Sequence, residues 1–394
     1  MGLFGKSGGK QKEEFVIKKG VLEKWNGDST TIRIPDEVTT IGLLAFNSKA
    51  FSNVTEIIFP ASLQKIAIIK DIPCFENIKR IVLRGSLPMG YVNLILQNSY
   101  NATIEISDDY DVALVDNFLI EKSSQKLLFA IRHRMKGICS IPEGVREIAD
   151  NALKDCEELE GIIIPGSVTR IGRHAFENCT RMKKAVIPDS VQIIELSAFK
   201  ECRTLEAVTI PIGVQSIQTA TFFGCKSLKE VTIPNSVQSI EGNAFCRCEA
   251  LKQVVLPESI KQIGRFAFDS CNNLETLYYN AIEVEDFEAF NNAVFVGAGR
   301  TNGMNIVFGD SVKRIPAFFL ETQREGKSVF FYGVNTVNSG GGARINEIVF
   351  SDSIVEIGKD ALRSAHPQRV RVKRGSYCEE FAYTQWDRAK VEVY

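Results

Sequence analysis

LKEVTIPNSVQSIEGNAFCRCEA, residues 228–250, is followed at once by LKQVVLPESIKQIGRFAFDSCNN, residues 251–273. The two stretches match place for place: Leu228 with Leu251, Val231 with Val254, Pro234 with Pro257, Ala244-Phe245 with Ala267-Phe268, Cys248 with Cys271. The spacing continues outward from them. Pro142, Pro165, Pro188, Pro211, Pro234 and Pro257 stand 23 residues apart, and so do Cys156, Cys179, Cys202, Cys225, Cys248 and Cys271. A fixed period of this length predicts a solenoid, because one short unit cannot bury its apolar face alone and stacked neighbours can.

Within each unit the apolar skeleton is constant. In Leu228-Lys229-Glu230-Val231-Thr232-Ile233 the last three residues alternate in-out-in with the period of a strand. Pro234 ends that strand, having no N–H to give to a ladder. Ala244-Phe245 and its equivalents Ala175-Phe176, Ala198-Phe199 and Ala267-Phe268 predict one short helical turn, the small residue approaching the core and the Phe filling it. Thr221-Phe222 and Ala152-Leu153 are variants of the same place.

The resulting pattern, L-x-x-V-x-I-P-x-S-V-x-x-I-G-x-x-A-F-x-x-C, resembles the BspA-type leucine-rich repeats, with Glu241 standing where the pattern has Gly. The fold expected is a right-handed, mainly β solenoid of leucine-rich-repeat type, its parallel strands stacked coil on coil with short helical turns. The resemblance implies a bacterial, non-catalytic protein of host-associated settings, often carried on the cell surface and adhering to matrix proteins or other cells.

The flanks are less regular. Residues 1–14 form a Gly-rich basic leader expected to be disordered, and residues 15–394 a single solenoid. Its irregular N-terminal part, 15–141, includes Ile32-Arg33-Ile34-Pro35, and Phe51 and Phe75 hold the place that Cys takes later. Ser107 to Pro142 is longer than one period, and Phe118-Leu119-Ile120 with Leu127-Leu128-Phe129 reads as a hairpin insertion near 118–129. Six regular repeats fill 142–280. Irregular coils follow over 281–394, with a Gly-rich loop at 334–344 and a C-terminal cap ending in Val391-Glu392-Val393. Proline-equivalent places from Pro35 to Tyr394 number about fifteen coils.

The chain has 394 residues, is 44% hydrophobic and carries a formal net charge of −1, so no basic excess points to nucleic acid. Residues 1–10 contain no apolar signal-peptide core, and no stretch predicts membrane insertion. On that basis a cytoplasmic home is expected, with the cell surface or secretion implied by the resemblance. Gly2 opens a myristoylation pattern that Lys6 breaks, and Gly5-Lys6-Ser7 lacks the strand and spacing of a phosphate loop.

The ladder cysteines would leave the backbone in parallel, which disfavours disulfides, and they read as small buried hydrophobes. Cys246-Arg247-Cys248 brings two thiols together without a second pair or a His at zinc spacing. His133, His174 and His366 fall in no nucleophile or metal motif, and His174 reads as a solvated surface residue. No catalytic constellation emerges, and nothing asks for a metal or cofactor.

Binding is expected on the outward sheet face. Between the inward strand residues stand Ile163, Val186, Thr209, Thr232, Val255 and Tyr278, flanked by Glu160, Lys183, Glu206, Lys229, Lys252 and Glu275. Structure alone accounts for part of this: Glu160, Lys183, Glu206 and Lys229 alternate in sign as a cross-strand ladder, and β-branched residues suit strands. A continuous, partly apolar face is also the surface solenoids offer to partners. The partner expected is a protein or glycoprotein, with the chain itself a monomer or weak homo-oligomer. The alternatives are a self-assembling structural module, and an enzyme with a site at the hairpin or the Gly-rich loop.

Overall fold

The computed structural model describes residues 14–46, 49–67, 77–85, 87–99, 101–108, 110–287, 294–317, 319–320, 343–362 and 365–394. Nearly all of the leader, Cys74, Phe75 and most of the Gly-rich loop at 334–344 lie outside them. The chain is mainly β, with parallel strands stacked as a solenoid of about 14 turns. The sequence count of about fifteen includes the C-terminal strand Val391–Val393. The chain divides between Ser123 and Ser124 into two compact units.

In the first unit an antiparallel ribbon, Phe15–Lys18 with Val21–Trp25, leads into the coils. Lys19 and Gly20 turn it at φ 48° and 76°, the left-handed pair that a two-residue hairpin demands. Strands Thr31–Arg33, Glu56–Ile58, Arg80–Leu83 and Thr103–Ile106 then pair in parallel, aligning Ile32, Ile57, Ile81 and Ile104. The last full coil carries a helix, Met89–Gln97, that buries Val92, Ile95 and Leu96. Strands Val112–Val115 and Phe118–Glu121 form a hairpin turned by Asp116 and Asn117, both at positive φ. Irregularity in the insertion therefore begins one strand earlier than the sequence marks it.

The second unit shows what each place in the repeat does. A first strand, such as Leu159–Ile163 or Ala207–Thr209, bonds in parallel to its copy in the next coil. The residue before a proline can still donate onward, as Ile141 N–H does to the Ile163 carbonyl and Ile210 N–H to the Thr232 carbonyl, both at 3.0 Å. The proline itself cannot, and its carbonyl instead closes a turn by accepting from the valine three places on, Val237 N–H to Pro234 at 3.1 Å. The serine inside that turn ties it down. Oγ–H of Ser167, Ser190, Ser236 and Ser259 donates to a valine carbonyl of the preceding coil at 2.7–2.9 Å. A two-residue second strand follows, Arg170–Ile171 or Ser239–Ile240, in its own parallel ladder.

The Ala-Phe segment differs from the short helical turn expected of it. In each coil it is a run of tight turns, with left-handed residues before the Ala and before the Cys: His174 and Asn178, Ser197 and Glu201, Asn243 and Arg247. Every second N–H closes a turn, Glu177 to His174 and Cys179 to Phe176, while those between cross to the next coil, Phe176 to Ala198 and Asn178 to Lys200. A helix would spend those crossing donors inside the coil; turns free them to bind neighbours. The consensus glycine has a related cause. A Cβ on Gly172 would lie 2.7 Å from Ala149 C and Asp150 N of the previous coil.

Like residues stack on like in the core. The rings of Phe176, Phe199, Phe222, Phe245, Phe268 and Phe295 lie 5.0–5.6 Å apart and within 10° of parallel, offset stacks each worth about 0.5–1.5 kcal/mol beyond area burial. The cysteines do more than fill space. Sγ–H of Cys179, Cys202, Cys225, Cys248 and Cys271 donates to the carbonyl of the Leu or Phe three places before the preceding coil's cysteine, at 3.1–3.3 Å. All are free thiols and fully buried, and burial pushes every one up, Cys156 to about 12.

Before the last strand comes helix Tyr377–Gln385, capped by Ser376, with Cys378 and Ala382 buried and Trp386 Nε1 donating to the Ala365 carbonyl at 3.2 Å. A thiol that is buried, protonated and already donating is a poor nucleophile. Iodoacetamide at about pH 8 should therefore alkylate half-exposed Cys139 in the native protein while Cys156 to Cys271 react only after denaturation. Peptide mass spectrometry reads the result, and native labelling of Cys225 at the rate of a free thiol would contradict the buried ladder.

Candidate interaction face

The outward column of the second unit follows the strand register. Ser140, Ile163 and Val186 are aligned, as are Thr209 with Thr232, and Val255 with Tyr278, Val307 and Val349. Ile163, Val186, Val255 and Tyr278 are large apolar side chains exposed by 45%, 42%, 40% and 37%; Thr209 and Thr232 are exposed as well. Their strand neighbours Ile162, Val208, Val254 and Leu277 point inward and are buried. The alternation of one β-branched residue out and one in thus fixes the face.

The face is carried by two hydrogen-bonded sheets. Strand Glu230–Thr232 ends a five-stranded sheet, and strand Gln253–Leu256 begins a six-stranded one. Between them the flanking row carries the connection, Lys252 N–H donating to the Lys229 carbonyl at 3.3 Å. The same row links every coil: Lys183 to Glu160 at 2.8 Å, Glu206 to Lys183 at 3.2 Å, Lys229 to Glu206 at 2.8 Å, Glu275 to Lys252 at 2.8 Å.

The flanking charges form only part of the alternating ladder expected of them. Lys229 pairs with Glu206 at 3.2 Å and Lys252 with Glu275 at 3.5 Å. Glu160 reaches Arg181 at 3.2 Å rather than Lys183. All of these pairs are more than 40% exposed, so each contributes tenths of a kcal/mol at most and leaves the side chains available.

A second outward column, two places earlier on each strand, escapes the sequence reading. It comprises Ile138, Lys184, Ala207, Glu230, Gln253 and Thr276, with Gly161 second in line. Ile138 is 73% exposed and lies over Gly161, where a Cβ would meet its Cγ1 at 3.4 Å. The signal for it was present: in a strand of three or more residues, outward places recur at i and i+2. The composition of this column varies from coil to coil, so no repeated residue type marks it in the sequence.

On the turn side of the coils, places 23 residues apart hold Lys154, Glu177, Lys200, Phe223, Cys246 and Asp269, a column of unlike groups. Glu177 is buried and lies 2.7 Å from Lys154 Nζ and 3.2 Å from Lys200 Nζ. Burial raises its pKa, but the hydrogen bonds from Lys154 and Lys200 outweigh that and hold the carboxyl below its ordinary value. His174, expected to be solvated, is half-buried and places Nδ1 2.9 Å from Glu177 Oε2. Phe223 receives Lys200 and Arg247 over its ring at 6.0 and 5.6 Å. Cys246 donates to Asp269 Oδ2 at 3.7 Å, whereas Cys248 donates inward to the Phe222 carbonyl, so the two thiols of Cys246-Arg247-Cys248 serve separate partners. Burial pushes the Asp269 carboxyl up.

A model of the BspA type leucine rich repeat region, in 6 copies, matches residues 17–87, 133–229 and 192–323. Curated proteins return no match. Among solved structures, the chain is similar to a leucine-rich repeat protein from Eubacterium ventriosum, with 22% identity and a TM-score of 0.47 over 64% of this chain and 72% of that one. It is similar to a leucine-rich repeat protein from Bacteroides ovatus, with 18% identity and a TM-score of 0.39 over 97% and 96%. A leucine rich cell surface protein from Faecalibacterium prausnitzii matches with 19% identity and a TM-score of 0.34 over 91% and 86%.

Glu177→Gln leaves Lys154 and Lys200 facing a neutral amide, and is expected to cost about 1–2 kcal/mol near neutral pH in urea unfolding. The folded pKa of Glu177 lies below its ordinary value near 4.5. Its contribution is therefore complete above that value and is lost as pH falls through the folded pKa. The gap between wild type and variant should close in acid, and a gap that stays constant down to about pH 2.5 would refute the ionic account.

Proposed function

The chain belongs to the BspA type leucine-rich repeat family, and from that membership we propose that it is a non-catalytic scaffold holding a macromolecular partner on the outward sheet face of its second unit. A protein-interaction scaffold is consistent with the repeat family, whose members are typically non-catalytic. The observation that carries the reading is the aligned column from Ile163 to Tyr278, in which large apolar side chains stand 37–45% exposed on strands whose inward neighbours Ile162, Val254 and Leu277 are buried. Water-facing β-branched and aromatic residues in register, edged by loosely paired charges, make an apolar centre with a polar rim. That is the composition of a protein-binding surface. The partner proposed is accordingly a protein or glycoprotein.

The Thr209→Lys, Thr232→Lys, Val255→Lys variant tests the face. All three side chains are exposed, so the fold should hold while three added charges in one column cost at least about 2 kcal/mol of binding, roughly a thirtyfold rise in Kd. Undiminished capture of the partner by the folded triple variant would sink the sheet-face reading. Self-pairing through the same face would instead show as a dimer in gel filtration that the triple variant loses.

The cell surface is the proposed place of action, on the strength of family membership. Among the described residues no helix is long and apolar enough to cross a membrane. Digestion of intact cells with external protease should remove the protein; its survival until lysis would place it in the cytoplasm and remove adhesion from the reading.

A further inference from the structure

Arginines along the sheets of this protein are held by carboxylates. Arg80 stands between Glu56 and Glu105, Arg170 between Glu147 and Glu195, Arg314 between Asp286 and Glu356, and Arg369 between Glu347 and Glu392. Two arginines of the first unit break this rule. Among the described residues, the side chains of Arg33 and Arg84 enter no hydrogen bond or ion pair.

Their positions are related. Arg33 closes the strand Thr31–Arg33, and Arg84 follows the strand Arg80–Leu83 two coils later, in the place where the two preceding coils have Pro35 and Pro60. Register aligns Arg33 with Ile58, and Ile58 with Val82. The coil between the two arginines therefore presents Ile58, Phe59 and Pro60, none of which has a side-chain acceptor. Both arginines line one open hollow of about 270 Å³, together with those three residues and with Ile34, Pro35 and Asp36. Asp36 pairs with neither of them, so the hollow keeps an excess of positive charge.

We propose that this hollow binds a small organic carboxylate of the sugar-acid class. A guanidinium presents its donors as a planar fork that matches a carboxylate, and two unpaired forks beside one hollow are free to take up such a group without first breaking an internal ion pair. The residues between the two arginines are apolar, so no acceptor there competes with a ligand carboxylate for the guanidinium groups. The volume lies at or below the lower end of small-molecule pockets, a size for one sugar-like unit rather than a polymer. This site lies in the first unit and is independent of the sheet face proposed for the second.

The test is titration of the full chain with glucuronate, glucose and inorganic sulfate, followed by calorimetry or NMR. Glucuronate should saturate with a Kd in the millimolar range or tighter, glucose should not bind, and sulfate should bind more weakly than glucuronate. Arg84→Gln should weaken glucuronate about tenfold, and Arg33→Gln with Arg84→Gln should abolish saturation. Both side chains are unpaired, so the melting transition should be unchanged. Should the double variant fail to fold, Arg84→Lys decides, since it keeps the charge and loses the fork and should weaken binding severalfold. Absence of saturable glucuronate binding, or binding that the Arg84 variants leave unaltered, overturns the site. Equal affinity for sulfate and glucuronate overturns the organic ligand and leaves a simple anion site.

Discussion

A backbone N–H that finds its carbonyl one coil away is the contact on which the rest of this structure depends. Lys183 to Glu160 and Lys229 to Glu206 show it in the first-strand row, and Phe176 to Ala198 shows it on the turn side. Because these bonds join equivalent places, each side chain lies beside its own copy in the neighbouring coil. Groups that attract their own kind benefit from this. Phenylalanine rings stack offset, buried cysteines pass their S–H to a carbonyl already in place, and serines do the same with their hydroxyls. Unlike charges on successive coils pair, as Lys229 does with Glu206 and Arg170 with two glutamates, and where Lys229 and Lys252 adjoin as like charges each turns to a glutamate on its other side.

The same constraint accounts for the turns that replace a helix beside each Phe. A helical turn satisfies its donors internally, whereas a stacked coil needs them for the next coil. The chain meets both needs by alternating turn-closing and crossing N–H groups, at the cost of two left-handed residues per coil. That the residues in those places include His174, Arg247 and Phe266 as well as glycine shows how strongly the surrounding bonds impose the backbone.

Function on such a scaffold resides in what the repeat leaves free. Outward strand places face water, do not contribute to the core, and tolerate any residue that suits a strand. Here they hold exposed Ile, Val, Thr and Tyr in register, flanked by ion pairs too exposed to hold their side chains tightly. Arg33 and Arg84 are the converse case, charges that the ladder logic would have paired and did not.

The sequence by itself determined the solenoid, its period, the strand that ends at each proline and the outward column from Ile163 to Tyr278. Those features recur at a fixed interval, and period is visible without coordinates. It did not disclose the second outward column, in which Ile138, Lys184 and Glu230 share a place but no chemistry, nor the pairing of Glu160 with Arg181 in place of Lys183. The contact of His174 with Glu177 and the unpaired state of Arg33 and Arg84 likewise needed the tertiary structure. In each of these the deciding fact is which side chain on a neighbouring coil comes within reach, and that depends on coil width, backbone handedness and rotamer, none of which a repeat pattern records.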